Sequence, residues 1–179
     1  MTEIQFKNAL IDASSAILLF KSDLFERLLT SYHVIMAESV YNEVTRAGYP
    51  GAAVFKAGCA DRRYRVVRPQ NDPKAAQAQR NSRVTLGRGE TETIRLYLEG
   101  RGQFVIIDDG KGAGICKKQK IPYINALLFP RILYLCRSIS EGDHRAKIEE
   151  IARLGRYSRR VYDYAASCPR HKLSRFLPA

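Results

Sequence analysis

No C-x-x-C pair occurs in this chain, and its four cysteines, Cys59, Cys116, Cys136 and Cys168, stand far apart. His33, His144 and His171 are equally scattered. Neither a zinc site nor a disulfide framework is indicated, so a reducing cytoplasm is the expected setting. Long hydrophobic runs are missing too. Asp12 breaks the apolar stretch nearest the N-terminus, which excludes a secretory h-region there. No other run approaches the roughly 20 residues that cross a bilayer. Acid is scarce: 18 Asp and Glu stand against 30 Lys and Arg, a formal charge of +12. That excess favours polyanionic partners, nucleic acid first, although a basic surface that only confers solubility has the same composition. At 179 residues, without an internal repeat, the chain is long enough for one real core and too short for two.

What is present reads as an alternation of strands and helices. Phe6 to Ile11 forms a short strand closed by "DASS", after which "AILLF" and "LFERLLT" place apolar residues at helical spacing. "HVIMAES" reads as a second strand, and "ESVYNEVTRAG" as a helix started by Glu38 or Ser39 and stopped by Gly48. Between Tyr49 and Arg83 the signals thin to a small helix over Ala52 to Ala60, a strand "YRVVRP" and a polar stretch from Asp72 and Pro73. "GRGETETIRLYLEG" predicts a helix ended by Gly100, "QFVIIDD" a buried strand, "GAGICKKQK" a helix and "IPYIN" a further strand. Such alternation predicts an α/β fold, a parallel sheet with helices on both faces. "ALLFPRILYLC", "HRAKIEEIARLG" and "SRRVYDYAAS" are helical. Residues 1–130 are therefore expected to form the core and 131–179 a helical extension packed on it, with the last ten residues loosely held.

In open parallel sheets ligands gather outside the carboxyl ends of the strands, where Asp12 and the pair Asp108 and Asp109 fall. Asp12 could instead cap the following helix, and the pair could be turn residues ahead of Gly110. Adjacent like charges beside an apolar run repel one another, and a bound cation is one remedy. Glu90 opens its helix, where it could simply favour the helix dipole, and Glu43 lies at the edge of a buried helical face. Glu92 follows Glu90 by two residues, about 200° round the helix, so the two cannot both face one crevice. Carboxylates without histidine or cysteine suit hard cations such as Mg²⁺ or Mn²⁺. "GKGAG" matches neither phosphate-loop pattern, and two acids precede it. Arg88, Lys111, Lys117 and Lys118 are candidates for holding flanking phosphates. Arg153, Arg156, Arg159 and Arg160 beside Tyr157 and Tyr162 could track or stack on single-stranded RNA, or form an ordinary amphipathic packing helix.

"LIDASSAILLF", "ESVYNEV", "LGRGETETIRL" and "VIIDDGKGAGICKKQKIPYI" together resemble the PIN domain and occur in that family's order over about residues 5–125. The tail "LGRYSRRVYDYA" is similar to that of an uncharacterised prokaryotic branch. The resemblance implies a three-layer α/β/α fold with a central parallel sheet, plus C-terminal helices. It implies a metal-dependent endoribonuclease, a class that includes the toxins of bacterial toxin-antitoxin pairs. Mg²⁺ or Mn²⁺ would be the cofactor and RNA the substrate, with an antitoxin protein and a second copy of the chain as candidate partners. By position, Asp12, Glu43, Glu90 and Asp109 take the family's acidic site, with Asp108 beside them. The expected metal ligands are Asp12, Glu90, Asp108 and Asp109, and which aspartate of the pair turns inward stays open. Ser14 matches the small polar residue beside the first aspartate, with helix capping as the alternative role. The chain departs from its branch at Ala113, where a basic residue is common, and near Asn125, where a glycine is common; Lys111 is the candidate replacement for the missing charge. An RNA-binding or protein-interaction module without turnover is the alternative function.

Overall fold

The computed structural model describes residues 6–70 and 85–178; the polar stretch expected from Asp72 lies outside them. Strands β1 (Asn8–Ile11) and β4 (Phe104–Ile106) are buried almost throughout, which explains why both are written as unbroken apolar runs rather than alternating ones. They lie at the middle of a five-stranded sheet completed by β2 (His33–Ala37), β3 (Arg65–Val67) and β5 (Tyr123–Ile124). Every pairing is parallel and the order is β3-β2-β1-β4-β5. The register sets Ile11 against both Met36 and Ile106. The chain thus steps outward from β1 to β3, then crosses back to lay β4 on the other side of β1. That reversal makes the carboxyl ends of β1 and β4 the switch point where such sheets open a crevice.

Helices flank the sheet to give the three-layer α/β/α arrangement. Helix α1 (Ala13–Lys21) starts on an Asp12 cap and α2 (Phe25–Ser31) follows it. After β2 come α3 (Glu38–Val44) and α4 (Ala52–Ala60), and α5 (Arg88–Leu98) lies across β1, β2 and β4. Helix α6 (Gly110–Lys118) leads into β5. A 3₁₀ turn over Ala126–Leu128 then opens the C-terminal helices α7 (Phe129–Leu135), α8 (Glu141–Leu154), α9 (Arg159–Ser167) and α10 (Arg170–Leu173). Both ends of the α8–α9 link are locally fixed: the N–H of Gly155 donates to Ile151 O, and the Ser158 hydroxyl caps α9 by accepting from Val161 N. Among the described residues no helix is long and apolar enough to cross a membrane.

Three expectations shift. The apolar stretch after Asp12 is two helices, because the chain turns at Asp23, whose φ is +56°. Helix α3 ends at Val44, ahead of Gly48, since the Thr45 hydroxyl bonds back to Tyr41 O and the turn begins there. The last residues are anchored rather than loose. Leu173 and Leu177 are buried, the Phe176 ring meets Phe104 edge-on at 5.3 Å, and Tyr32 Oη donates to Phe176 O at 2.6 Å. Lys7 Nζ donates to the carbonyls of Arg175 and Leu177, so the entry to β1 and the end of the chain are stitched together.

Candidate active site

Asp12 leaves β1 fully buried, with 1% of its surface exposed. Its Oδ1 accepts from Ser15 N and its Oδ2 from Ser14 Oγ, each at 2.8 Å, so it caps α1. Burial, then the nearby Asp108 charge, push its pKa up to about 7 against those hydrogen bonds. Asp108 leaves β4. Its Oδ2 accepts from Ala126 N at 2.9 Å and its Oδ1 accepts the hydroxyl of Tyr157. Burial raises its pKa as well, and the Tyr157 and Ala126 donors oppose the rise. Asp109 caps α6, its Oδ2 accepting from Gly112 N at 2.8 Å. A Cβ at Gly112 would stand 2.3 Å from Ile107 Cδ1, so glycine is what lets this first turn close on the end of β4. Within the glycine-rich lead of α6 only Gly112 answers to packing, since a Cβ at Gly110 or Gly114 would meet open space.

Glu90 and Glu43 reach the same place from the helices. The Glu90 carboxylate accepts from Gly87 N ahead of α5. Burial raises its pKa, the charges of Asp109 and Glu43 raise it further, and Lys111 opposes them. Glu43, Glu90, Asp108 and Asp109 line one open cleft together with Ser14, Ile17, Leu18, Lys21, Leu154, Gly155, Arg156 and Tyr157. Asp12 does not line it, and meets the cleft through Asp108 and Ser14. Glu92 points elsewhere: it accepts from Ser39 N at 3.1 Å and from Arg88 Nε at 2.8 Å, and against its burial these bonds hold its pKa low.

Of the basic residues singled out in the sequence, Arg88 is spent on that ion pair, and Arg88, Lys111, Lys117 and Lys118 all stay outside the cleft lining. Lys117 and Lys118 stand at the far end of α6, about 10 Å along its axis from Gly110. The cleft's own cations are Lys21 and Arg156. Asn125 fits its place without a glycine, with φ at −104° and its Oδ1 accepting from Leu128 N at 3.1 Å.

Among the described residues no three His, Cys, Asp or Glu side chains stand close enough to hold a metal ion as they are arranged. Asp12, Asp109 and Glu90 are turned to donors at the start of their own helices instead, and Asp108 to Ala126 N and the Tyr157 hydroxyl. The chemistry of the set nevertheless fits a hard divalent cation. It is all carboxylate, burial desolvates Asp12, Asp108 and Glu90, and neighbouring acids further raise the proton affinity of Asp12 and Glu90. Ser15 Oγ is buried with no formed hydrogen bond, yet lies near enough to Asp12 and Asp108 to favour the charged form of both. Sequence reasoning missed Ser15 altogether, and it offered Tyr157 as an RNA contact or part of a packing helix, without the bond to Asp108.

The site is thus an acid-lined cleft at the switch point of an open parallel sheet. A family model described as DUF3368, a PIN domain, matches residues 8–136, and the chain belongs to that family. No curated protein matches the chain.

Proposed function

We propose that this protein is a divalent-metal-dependent endoribonuclease that hydrolyses phosphodiester bonds in RNA. The observation that carries the reading is the convergence of Glu43, Glu90, Asp108 and Asp109, from separate elements, on one cleft, with Asp12 buried beside Asp108. Asp12, Glu90, Asp108 and Asp109 would hold Mg²⁺ or Mn²⁺, and Glu43 would complete the acidic wall. Such an ion, when bound, makes a coordinated water more acidic and stabilises charge developing on the scissile phosphate. Ser14 donates to Asp12 Oδ2 and fixes that carboxylate. Lys21 and Arg156 bring positive charge to the cleft rim, where they would bind the phosphates flanking the cut. We assign residues 1–130 to the catalytic core and 131–179 to a helical extension that supplies one wall of the cleft. In a toxin-antitoxin pair, the neutralising partner would set acidic groups against the basic surface of the +12 chain, Lys21 and Arg156 at the cleft rim included, and so block access to the acids.

One observation favours a second reading. Asp12, Glu90 and Asp109 are each tied to the start of their own helix, as they would be in a PIN-like RNA-binding module without turnover. Cleavage of a defined RNA with and without Mn²⁺, compared between wild type and Asp12→Asn, separates the two. The nuclease reading expects metal-dependent cleavage that Asp12→Asn abolishes while RNA binding persists. Equal cleavage by both proteins, or none by wild type, overturns it.

A further inference from the structure

Asp108 differs from its neighbours in how it is held. Asp12 and Asp109 cap the helices that follow them, and Glu90 bonds to Gly87 at the start of its own helix. Asp108 caps nothing. It sits where the chain has left β4 and not yet entered α6, a place with no local donor to fix a carboxylate. Its two oxygens are instead held from remote parts of the chain, Oδ2 by Ala126 N and Oδ1 by Tyr157 Oη, 49 residues away.

The Tyr157 contact is built rather than incidental. Tyr157 lies in the short link between α8 and α9, whose ends are fixed by the Gly155 and Ser158 bonds. A Cβ on Gly155 would come within 2.5 Å of Tyr157 Cε2 and 3.1 Å of Cζ, so the ring fills the space that a side chain there would take. Leu154, Gly155, Arg156 and Tyr157 together form a wall of the acidic cleft. All of them lie beyond residue 136, where the family match ends. A carboxylate has about four lone-pair sites, so both oxygens of Asp108 keep acceptor capacity while these two donors fix its plane.

We propose that Tyr157 is a positioning residue of the acidic site: its hydroxyl orients Asp108 for a divalent cation, and the C-terminal helices exist in part to deliver it. The inference rests on the metal-dependent reading above. Hydrogen bonds of this kind to a ligating carboxylate fix its orientation, and their loss typically weakens metal binding or activity about 10–100-fold.

The test uses the full chain and Mn²⁺ itself, titrated calorimetrically into wild type, Tyr157→Phe, Gly155→Ala and Asp108→Asn. Tyr157→Phe keeps the ring and removes only the hydroxyl. It should bind Mn²⁺ about 10–100-fold more weakly, melt within a degree or two of wild type in chelator, and regain cleavage as Mn²⁺ is raised to saturation. Gly155→Ala, which displaces the ring, should weaken Mn²⁺ binding in the same direction. A merely structural tyrosine would lower the melting temperature in chelator and leave the Mn²⁺ affinity alone. Wild-type or tighter affinity in Tyr157→Phe, alongside lost binding in Asp108→Asn, overturns the inference and leaves the nuclease reading standing. Absence of Mn²⁺ binding by wild type overturns both, and that failure is read in a different protein.

Discussion

Asp12 serves as helix cap and buried charge at once, and the two roles pull its protonation in opposite directions. The cap favours the anion, while burial and Asp108 favour the acid and win, raising the pKa from 3.8 to about 7. The folded metal-free protein then binds more protons than the unfolded chain between those values. Its stability should fall as pH rises from about 4 to about 7, the reverse of a salt-bridged carboxylate. Melting temperatures in chelator across that range should show the decline, and Asp12→Asn, which keeps an oxygen for Ser15 N, should flatten it. If Asp12 holds the cation as proposed, added Mn²⁺ should stabilise wild type most above pH 7, where Asp12 is already deprotonated, and the gain should shrink in Asp12→Asn. An identical pH slope in both proteins would sink the assignment of this shift to Asp12. Asp12, Asp108, Asp109 and Glu90 stood out in the sequence because each sits at a strand end or opens a helix, a local pattern, and Glu43 because it flanks the buried face of α3. Ser15 and Tyr157 did not, since a hydroxyl's partner is decided by packing between segments far apart in the chain.

Elements were legible where burial is uniform. The apolar runs of β1 and β4 announced central strands, and Ala52–Ala60 is a helix over the residues its pattern indicated. Helix ends were less so, because Thr45 and Asp23 stop or turn the chain through local hydrogen bonds and backbone geometry rather than through the nearby glycine. The C-terminal segment read as loose because its anchors, Lys7 and Tyr32, are nearly the whole chain away. Leu173→Ala should therefore destabilise the protein by about 2–5 kcal/mol, the cost of a core truncation and not of a fraying end. Denaturant unfolding measures it, and a change below about 0.5 kcal/mol, typical of surface positions, would contradict the anchoring. Glu92 makes a different kind of tie, its carboxylate joining α5 to the first turn of α3 through Ser39 N. Glu92→Ala should cost about 1–3 kcal/mol by leaving that donor unpaired, with cleavage per folded molecule unchanged.

At the scale of the whole molecule the +12 charge should dominate RNA affinity. Binding should weaken steeply with salt and vary little with sequence, and each phosphate contact removed should lower the logarithmic salt slope by about 0.7 for a single strand. Lys21→Ala with Arg156→Ala, inside the cleft, should reduce that slope and the cleavage rate together. Lys117→Ala with Lys118→Ala, outside it, should reduce the slope alone; the reverse pattern would move the RNA track away from the acids. The same topology carries a consequence for the timing of synthesis. β1 is made before its partner β4, which emerges about ninety residues later, and the Lys7 stitch waits for Leu177. A ribosome that has translated only the family-matched stretch holds every acid of the cleft but neither Tyr157 nor the terminal anchor. A nascent chain that stops with the family-matched stretch should thus stay protease-sensitive until the helices that carry Tyr157 and Leu177 have been made.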